Sequence, residues 1–290
     1  MTPVLEYSEA LLRDLAQADV KRAIAEDVGE GDLTAGLIDP TRQARARVLA
    51  RESAVVCGLP WVAATLALLV PQARLNVLVQ EGRRCEADQL VLEIEGPARG
   101  LLTAERTLLN FLQLLSAVAT HTARYVQAVQ QVPGNRAQIV DTRKTLPGLR
   151  LAQKYAVHTG GGTNHRIGLF DAVLIKENHI AAAGGVSAVL RQAKAAAPRA
   201  KFVEIEVETL AQLQEALEAG ATMVLLDNMG LDTLREAVRL NAGRAILEVS
   251  GGVQLDSVAA IAATGVDRIS IGALTKDVKA IDFSMRFSEL

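Results

Sequence analysis

From residue 137 onward the sequence keeps one rhythm: a short apolar run, a longer stretch with helical periodicity, then another short run. The runs are 138–141, 172–176, 202–207, 223–227, 245–249 and 268–271. Helical patterns lie between them at 186–196, 210–218, 231–241 and 255–263, and Gly220 and Gly265 close two of these. Apolar strands that alternate with helices read as a parallel sheet covered by helices. Six such runs are too few for a closed eight-stranded barrel. The expectation is α/β: an open, incomplete parallel (β/α) barrel, with a doubly wound sheet as the alternative.

The first third reads differently. Residues 8–26 carry Leu11, Leu12, Leu15, Val20 and Ile24 at helical spacing, and a Gly- and Asp-rich turn runs from Glu26 to Thr34. Strand patterns follow at 46–50, 75–80 and 90–95, with a helix over 60–69 between them. This is the pattern of a small α/β sandwich. A long apolar helix then opens near Thr103, a residue suited to N-capping, and runs over 105–131, with room for a break. On it Arg106, Asn110 and Gln113 fall at i, i+4 and i+7. That polar stripe is either a solvated face or a face turned toward a site, conceivably another subunit's.

Half of the residues are hydrophobic and 22% are charged, so a substantial core is available and the composition is that of a folded chain, not a disordered one. The net charge of −2 gives no sign of a nucleic-acid or membrane partner. The longest apolar run, 59–70, falls short of the roughly 20 residues a bilayer requires. The start lacks the basic-then-apolar order of a secretion signal, so the chain reads as soluble and cytoplasmic. Cys57 and Cys85 show neither metal-ligand spacing nor a disulfide framework.

Charge is concentrated locally. Between Asp141 and His179 stand Arg143, Lys144, Arg150, Lys154, Arg166 and Lys176 against Asp141, Asp171 and Glu177, a local excess of three positive charges. Three of the four histidines, His158, His165 and His179, fall in the same stretch. Nearly every predicted strand also ends on polar residues: Arg143 and Lys144, Lys176, Glu206, Asp227, Ser250-Gly251-Gly252, and Gly272-Ala273. In parallel barrels those ends share one face, where active sites sit. Arginine pairs bidentately with carboxylate or phosphate, and lysine acts as a point charge. Glu206 and Asp227 offer oxygens suited to Mg²⁺, and glycines between strand and helix let backbone N–H groups approach a phosphate. Each feature has a plainer reading: Gly-Gly as an ordinary turn, a strand-end cation as a surface residue, and one of Glu204, Glu206 and Glu208 as a partner for a nearby lysine. His158 reads equally as a core histidine, and Gly160-Gly-Gly162 as a flexible connector. The paired acids that follow a β run in ordinary phosphoribosyltransferases are absent.

These residues resemble the quinolinate phosphoribosyltransferase family, the carboxylating nicotinate-nucleotide pyrophosphorylases. The resemblance runs through 25–34, 104–113, 141–148, 160–166, 174–179, 204–208, 225–229 and 250–252, in order and across nearly the whole chain. It implies an N-terminal sandwich over 1–116, a C-terminal barrel over 117–290 whose end returns to the first domain, and a homodimer. It also implies phosphoribosyl transfer from 5-phosphoribosyl 1-diphosphate to quinolinate, with loss of pyrophosphate and CO₂, in NAD biosynthesis. By position, Arg143, His165, Arg166 and Lys176 would hold the two quinolinate carboxylates, and Arg106 would be lent to the partner's site. Lys144, Glu206 and Asp227 would form the ribose-diphosphate and Mg²⁺ group, with Ser250, Gly251, Gly252, Gly272 and Ala273 as phosphate contacts. A departure at Ser116-Ala117, where relatives often carry Ser-Gly, concerns helix packing. The rivals are a paralogue acting on nicotinate or another acid, a molybdenum-uptake homologue, another phosphate- or flavin-binding barrel, and a non-catalytic protein of the same fold.

Overall fold

The computed structural model describes residues 6–196, 198 and 200–289, and its contacts divide the chain into two compact units. Neither unit is one continuous stretch. The sandwich unit holds Glu6–His121, Leu146–Gly161 and the segment from Asp277 onward; the barrel unit holds Thr122–Thr145 and Gly162–Lys276.

In the sandwich unit, α1 (Glu9–Asp27) is N-capped by Ser8, whose Oγ accepts the Leu11 N–H at 3.2 Å. Strands β1 (Gln43–Ala50), β3 (Arg74–Val77), β5 (Leu90–Pro97) and β12 (Phe283–Glu289) form an antiparallel sheet in the order β12-β1-β5-β3. A short pair, β2 (Ala54–Val55) with β4 (Arg84–Cys85), stands apart from it. β1 alternates as a half-buried strand should, turning Ala44, Ala46, Val48 and Ala50 into the core. That core also takes Val62 and Leu66 of α2 (Leu59–Leu69), and Leu101, Leu108 and Leu112 of α3 (Ala98–Gln130). Trp61 is fully buried and donates its indole N–H to Asp19 at 3.0 Å, tying α2 to α1.

The long helix α3 runs unbroken over Ala98–Gln130, so it begins five residues before the expected Thr103 cap and has no break. Its buried stripe explains the early start: Leu101, Ala104, Leu108, Leu112 and Leu115 repeat at helical spacing from before Thr103. The Thr103 hydroxyl instead serves Asp32 Oδ2 at 2.8 Å and the Arg99 carbonyl at 3.1 Å. The polar stripe divides. Arg106 and Asn110 are exposed, while Gln113 is half-buried and donates to the Phe283 carbonyl at 3.1 Å, fastening β12. At the Ser116-Ala117 departure, Ser116 is buried and clasps the Cys57 backbone through both its N–H and its carbonyl.

The barrel unit contains β6 (Gln138–Val140), β7 (Val173–Ile175), β8 (Val203–Val207), β9 (Met223–Asp227), β10 (Ile246–Ser250) and β11 (Arg268–Ser270), all parallel. Their order is β6-β11-β10-β9-β8-β7. Read around a circle this is chain order, without the reversal of a doubly wound sheet. It is therefore an incomplete parallel barrel, open between β6 and β7. The open side is partly filled by Thr163, which forms a parallel bridge with Val140. The outer helices α6 (Val186–Ala196), α7 (Leu210–Glu218) and α8 (Leu231–Asn241) match the predicted spans, and α9 is shorter, Val258–Ala262. Two helices had no counterpart in the sequence pattern: α4 (Arg150–Thr159), in the sandwich unit, and α5 (Glu177–Ala183) at a strand end; α10 (Ala273–Lys276) is the helix expected to follow Gly272.

Candidate active site

The open side of the barrel determines how the cations are presented. Thr163 is pinned beside β6 by its N–H to the Ile139 carbonyl at 2.8 Å and by the Asp141 N–H to its own carbonyl at 3.1 Å. Asp141, fully buried, then accepts from Asn164 Nδ2 at 2.7 Å and from the His165 N–H at 2.8 Å. The Gly160-Gly-Gly162 run thus leads into a fixed segment. After Arg166 the chain is turned back by Asp171, which accepts the Ile167 and Gly168 N–H groups at 2.9 Å each.

A cavity of about 180 Å³ opens at the C-terminal ends of the barrel strands. Arg143, Lys144, His165, Arg166, Lys176, Glu206 and Ser250 all line it, so seven of the sequence-predicted residues meet there. Asp227 ends β9 in register with Ser250, outside the lining of that cavity. Gly251 and Gly252 follow Ser250 in left-handed backbone, at φ +97° and +59°. Gly272 lies against Lys144, where an added Cβ would come within 2.9 Å of Cδ, and Ala273 begins α10. The Thr275 hydroxyl holds the Lys144 carbonyl at 2.7 Å. Arg106 belongs to the sandwich unit, in a separate cavity of about 530 Å³ lined by Asp32, Leu33, Thr34, Leu37 and Thr103.

The electrostatics favour an anion. Burial, and then the Arg143 guanidinium beside it, hold Arg166 below its ordinary pKa. Arg143 Nε is buried with no hydrogen-bond partner. Crowded cations with an unmet donor are stabilised by an anionic ligand. Lys176 is already committed to Glu206 at 2.8 Å, the lysine pairing foreseen for one acid of β8. His179 is structural: its Nδ1 accepts the Lys176 N–H at 3.0 Å.

Beneath the cavity lies a buried cluster that joins His165 to Glu204, Glu248 and Arg268, three residues given no site role from the sequence. His165 Nε2 is 2.8 Å from Glu204 Oε2 and 3.5 Å from Glu248 Oε1, and Arg268 Nε donates to Glu248 Oε2 at 2.7 Å. Burial lowers the His165 pKa, but Glu248 and Glu204 raise it by more. Burial pushes the Glu204 carboxyl up to about 7, and the adjacent Glu248 carboxylate adds to the shift. His165 Nδ1 accepts the Arg166 N–H at 2.8 Å, which disfavours a second ring proton. Both pKa values are raised, so the hydrogen-bonded pair of His165 and Glu204 holds a shared proton. The available signal was a charged residue within an otherwise apolar strand, with Glu248 and Arg268 in register on β10 and β11. Among the described residues His165, Glu204 and Glu248 are also close enough to share a metal ion, but Arg268 already supplies positive charge there.

An incomplete parallel barrel with cations, carboxylates and glycine turns at its strand ends defines an α/β enzyme for a multiply anionic substrate. The comparisons give the family. Residues 32–116 match the quinolinate phosphoribosyl transferase N-terminal domain and residues 118–286 match its C-terminal domain. The chain is 40% identical to a probable nicotinate-nucleotide pyrophosphorylase (carboxylating) of Bacillus subtilis, covering 90% of this chain and 89% of that one. It is 41% identical to the nicotinate-nucleotide pyrophosphorylase (carboxylating) of Mycobacterium leprae, over 94% and 97% of the two chains. The solved nicotinate-nucleotide pyrophosphorylase of Francisella tularensis superposes with a TM-score of 0.91 at 42% identity, over 95% and 97%. The chain belongs to the quinolinate phosphoribosyltransferase family.

Proposed function

We propose that the chain transfers a phosphoribosyl group from 5-phosphoribosyl 1-diphosphate to quinolinate, giving nicotinate mononucleotide, pyrophosphate and CO₂ in NAD biosynthesis. The observation that carries this is the single cavity in which Arg143, Lys144, Arg166 and Lys176 meet Glu206 and Ser250. A pyridine dicarboxylate and a sugar diphosphate repel each other, and several fixed cations are what such a pair requires. Arg143, Arg166 and Lys176 hold the two carboxylates, Lys176 exchanging Glu206 for substrate, and His165 supports Arg166 from below. Lys144, the Ser250–Gly252 turn and the Gly272–Ala273 turn hold the phosphates.

Glu206 and Asp227 end adjacent strands, are partly solvent-accessible, and present the oxygen donors a hard cation prefers. Mg²⁺ held by these two carboxylates and the substrate's phosphates would supply neutralising charge for the departing pyrophosphate. The sugar C1–O bond breaks toward pyrophosphate, and the same two carboxylates stabilise the positive charge left on the ribose. The pyridine nitrogen forms the new bond to C1 and becomes quaternary. The C2 carboxylate then leaves as CO₂, its electron pair held beside the cationic nitrogen until a proton replaces it. No protein nucleophile is required, so the catalytic gain is mainly approximation.

Arg106 completes the site of a second copy in a homodimer. Exposed Leu33 and Leu37 beside Arg106 support this, because apolar side chains 95% and 82% exposed are suited to cover by a partner. Among the described residues no helix is long and apolar enough to cross a membrane.

The test is product formation from quinolinate, phosphoribosyl diphosphate and Mg²⁺. Equal amounts of nicotinate mononucleotide and CO₂, abolished by EDTA, are expected. Turnover of nicotinate in place of quinolinate would move the function to a paralogue.

A further inference from the structure

Asn228 departs from the extended backbone of the strand it follows. It sits at φ +53°, one of three left-handed non-glycine residues among those described, directly after Asp227 at the end of β9. Asparagine tolerates that region better than most residues, and persistence of such a conformation at a strand end requires support from the surroundings. The support is visible on two sides. Asn228 Nδ2 donates to Asp227 Oδ2 at 2.8 Å, and its backbone N–H donates to the Ser250 carbonyl at 3.1 Å. The side chain also fills the space beside the next turn, so that a Cβ added to Gly251 would fall 2.0 Å from Asn228 Oδ1. Gly251 is therefore required both by its φ of +97° and by the amide packed against it.

We propose that Asn228 is a positioning residue that locks the Asp227 carboxylate to the Ser250–Gly252 turn, so that the carboxylate and phosphate sides of the diphosphate site act as one rigid unit. The proposal rests on the reading of these groups as the phosphoribosyl diphosphate site. Asn228 touches no substrate in this scheme. It fixes the direction of one Asp227 oxygen, leaves the other free for the cation, and sets the spacing to the turn through the Ser250 carbonyl. The quinolinate cations stand on other strands, so quinolinate affinity does not depend on it.

Asn228→Gly is the discriminating variant, because glycine keeps the left-handed backbone and removes only the amide. Losing a hydrogen bond to a charged group is expected to raise KM for phosphoribosyl diphosphate about tenfold, and to raise the Mg²⁺ concentration for half-maximal rate. The Kd for quinolinate and the unfolding midpoint should stay at parental values, which a merely structural role would not allow. Calorimetric binding of Mg²⁺-pyrophosphate reads the same coupling without turnover. If the parent fails to convert quinolinate yet binds Mg²⁺-pyrophosphate about tenfold more tightly than Asn228→Gly, the function reading falls and the positioning role stands. Equal Mg²⁺-pyrophosphate affinities in parent and variant, no binding by the parent, or a quinolinate Kd that weakens in step would overturn the positioning role.

Discussion

The two units differ in how much charge they bury and where. The sandwich unit buries alanine, valine and leucine around Leu92, Leu108 and Leu112, and among its described residues the buried charged side chains are Asp19 and Lys154. The barrel unit buries Asp141, His165, Glu204, Glu248 and Arg268 under its strand ends. Burying charge costs stability unless every charge is paired, so such groups are retained for what they hold in place. The difference separates the roles: the sandwich supplies cohesion, and the barrel gives up some stability to fix the floor of a site.

The largest effect should come from unbalancing that floor. Arg268→Ala leaves Glu248 without its guanidinium and should cost about 3–5 kcal/mol in urea unfolding. Leu108→Ala in the sandwich should cost a similar amount, about 2–5 kcal/mol, through a cavity. What separates them is rescue. Pairing Arg268→Met with Glu248→Gln should recover much of the barrel loss, because no unpaired charge remains. Failure of that rescue would mean that the cluster is held by packing alone.

A smaller effect is a pH slope. Burial raises the Glu204 pKa, so near neutral pH the folded chain holds a proton that the unfolded chain releases. Stability from this group is full below its unfolded pKa and is lost as pH rises through about 7. Glu204→Gln, which mimics the protonated acid, should flatten the decline in unfolding midpoint between about pH 6 and 8. Leu108→Ala should leave the decline unchanged, and a variant with the parental slope at Glu204→Gln would assign the proton elsewhere.

The sequence was most legible where one physical rule acted alone. Strand–helix alternation defined the barrel unit, and strand ends located Arg143, Lys144, Lys176, Glu206 and Ser250. Reading was poorer where tertiary structure overrides local signals. Thr103 carries an N-cap residue type, but its hydroxyl is used by Asp32, and the apolar stripe from Leu101 decides where α3 begins. An open barrel was legible, but the position of the opening between β6 and β7 was not, because the Val140–Thr163 bridge is a long-range pairing that leaves no periodicity. Glu204 was visible only as one acid of three on one side of β8; its depth beneath Glu206 and its pairing with His165 are set by the fold. The part Asn228 plays between Asp227 and Gly251 exists only in three dimensions.

In the proposed reaction the barrel's cation cavity recognises two carboxylates through Arg143 and Arg166. Calorimetric titration of quinolinate and of nicotinate into the parent chain and into Arg166→Ala tests it most directly. Quinolinate should bind the parent tighter than nicotinate by about tenfold or more, and Arg166→Ala should remove that preference while the unfolding midpoint is kept. Equal affinity for the monoacid, or an Arg166→Ala variant that still prefers quinolinate, would contradict the account.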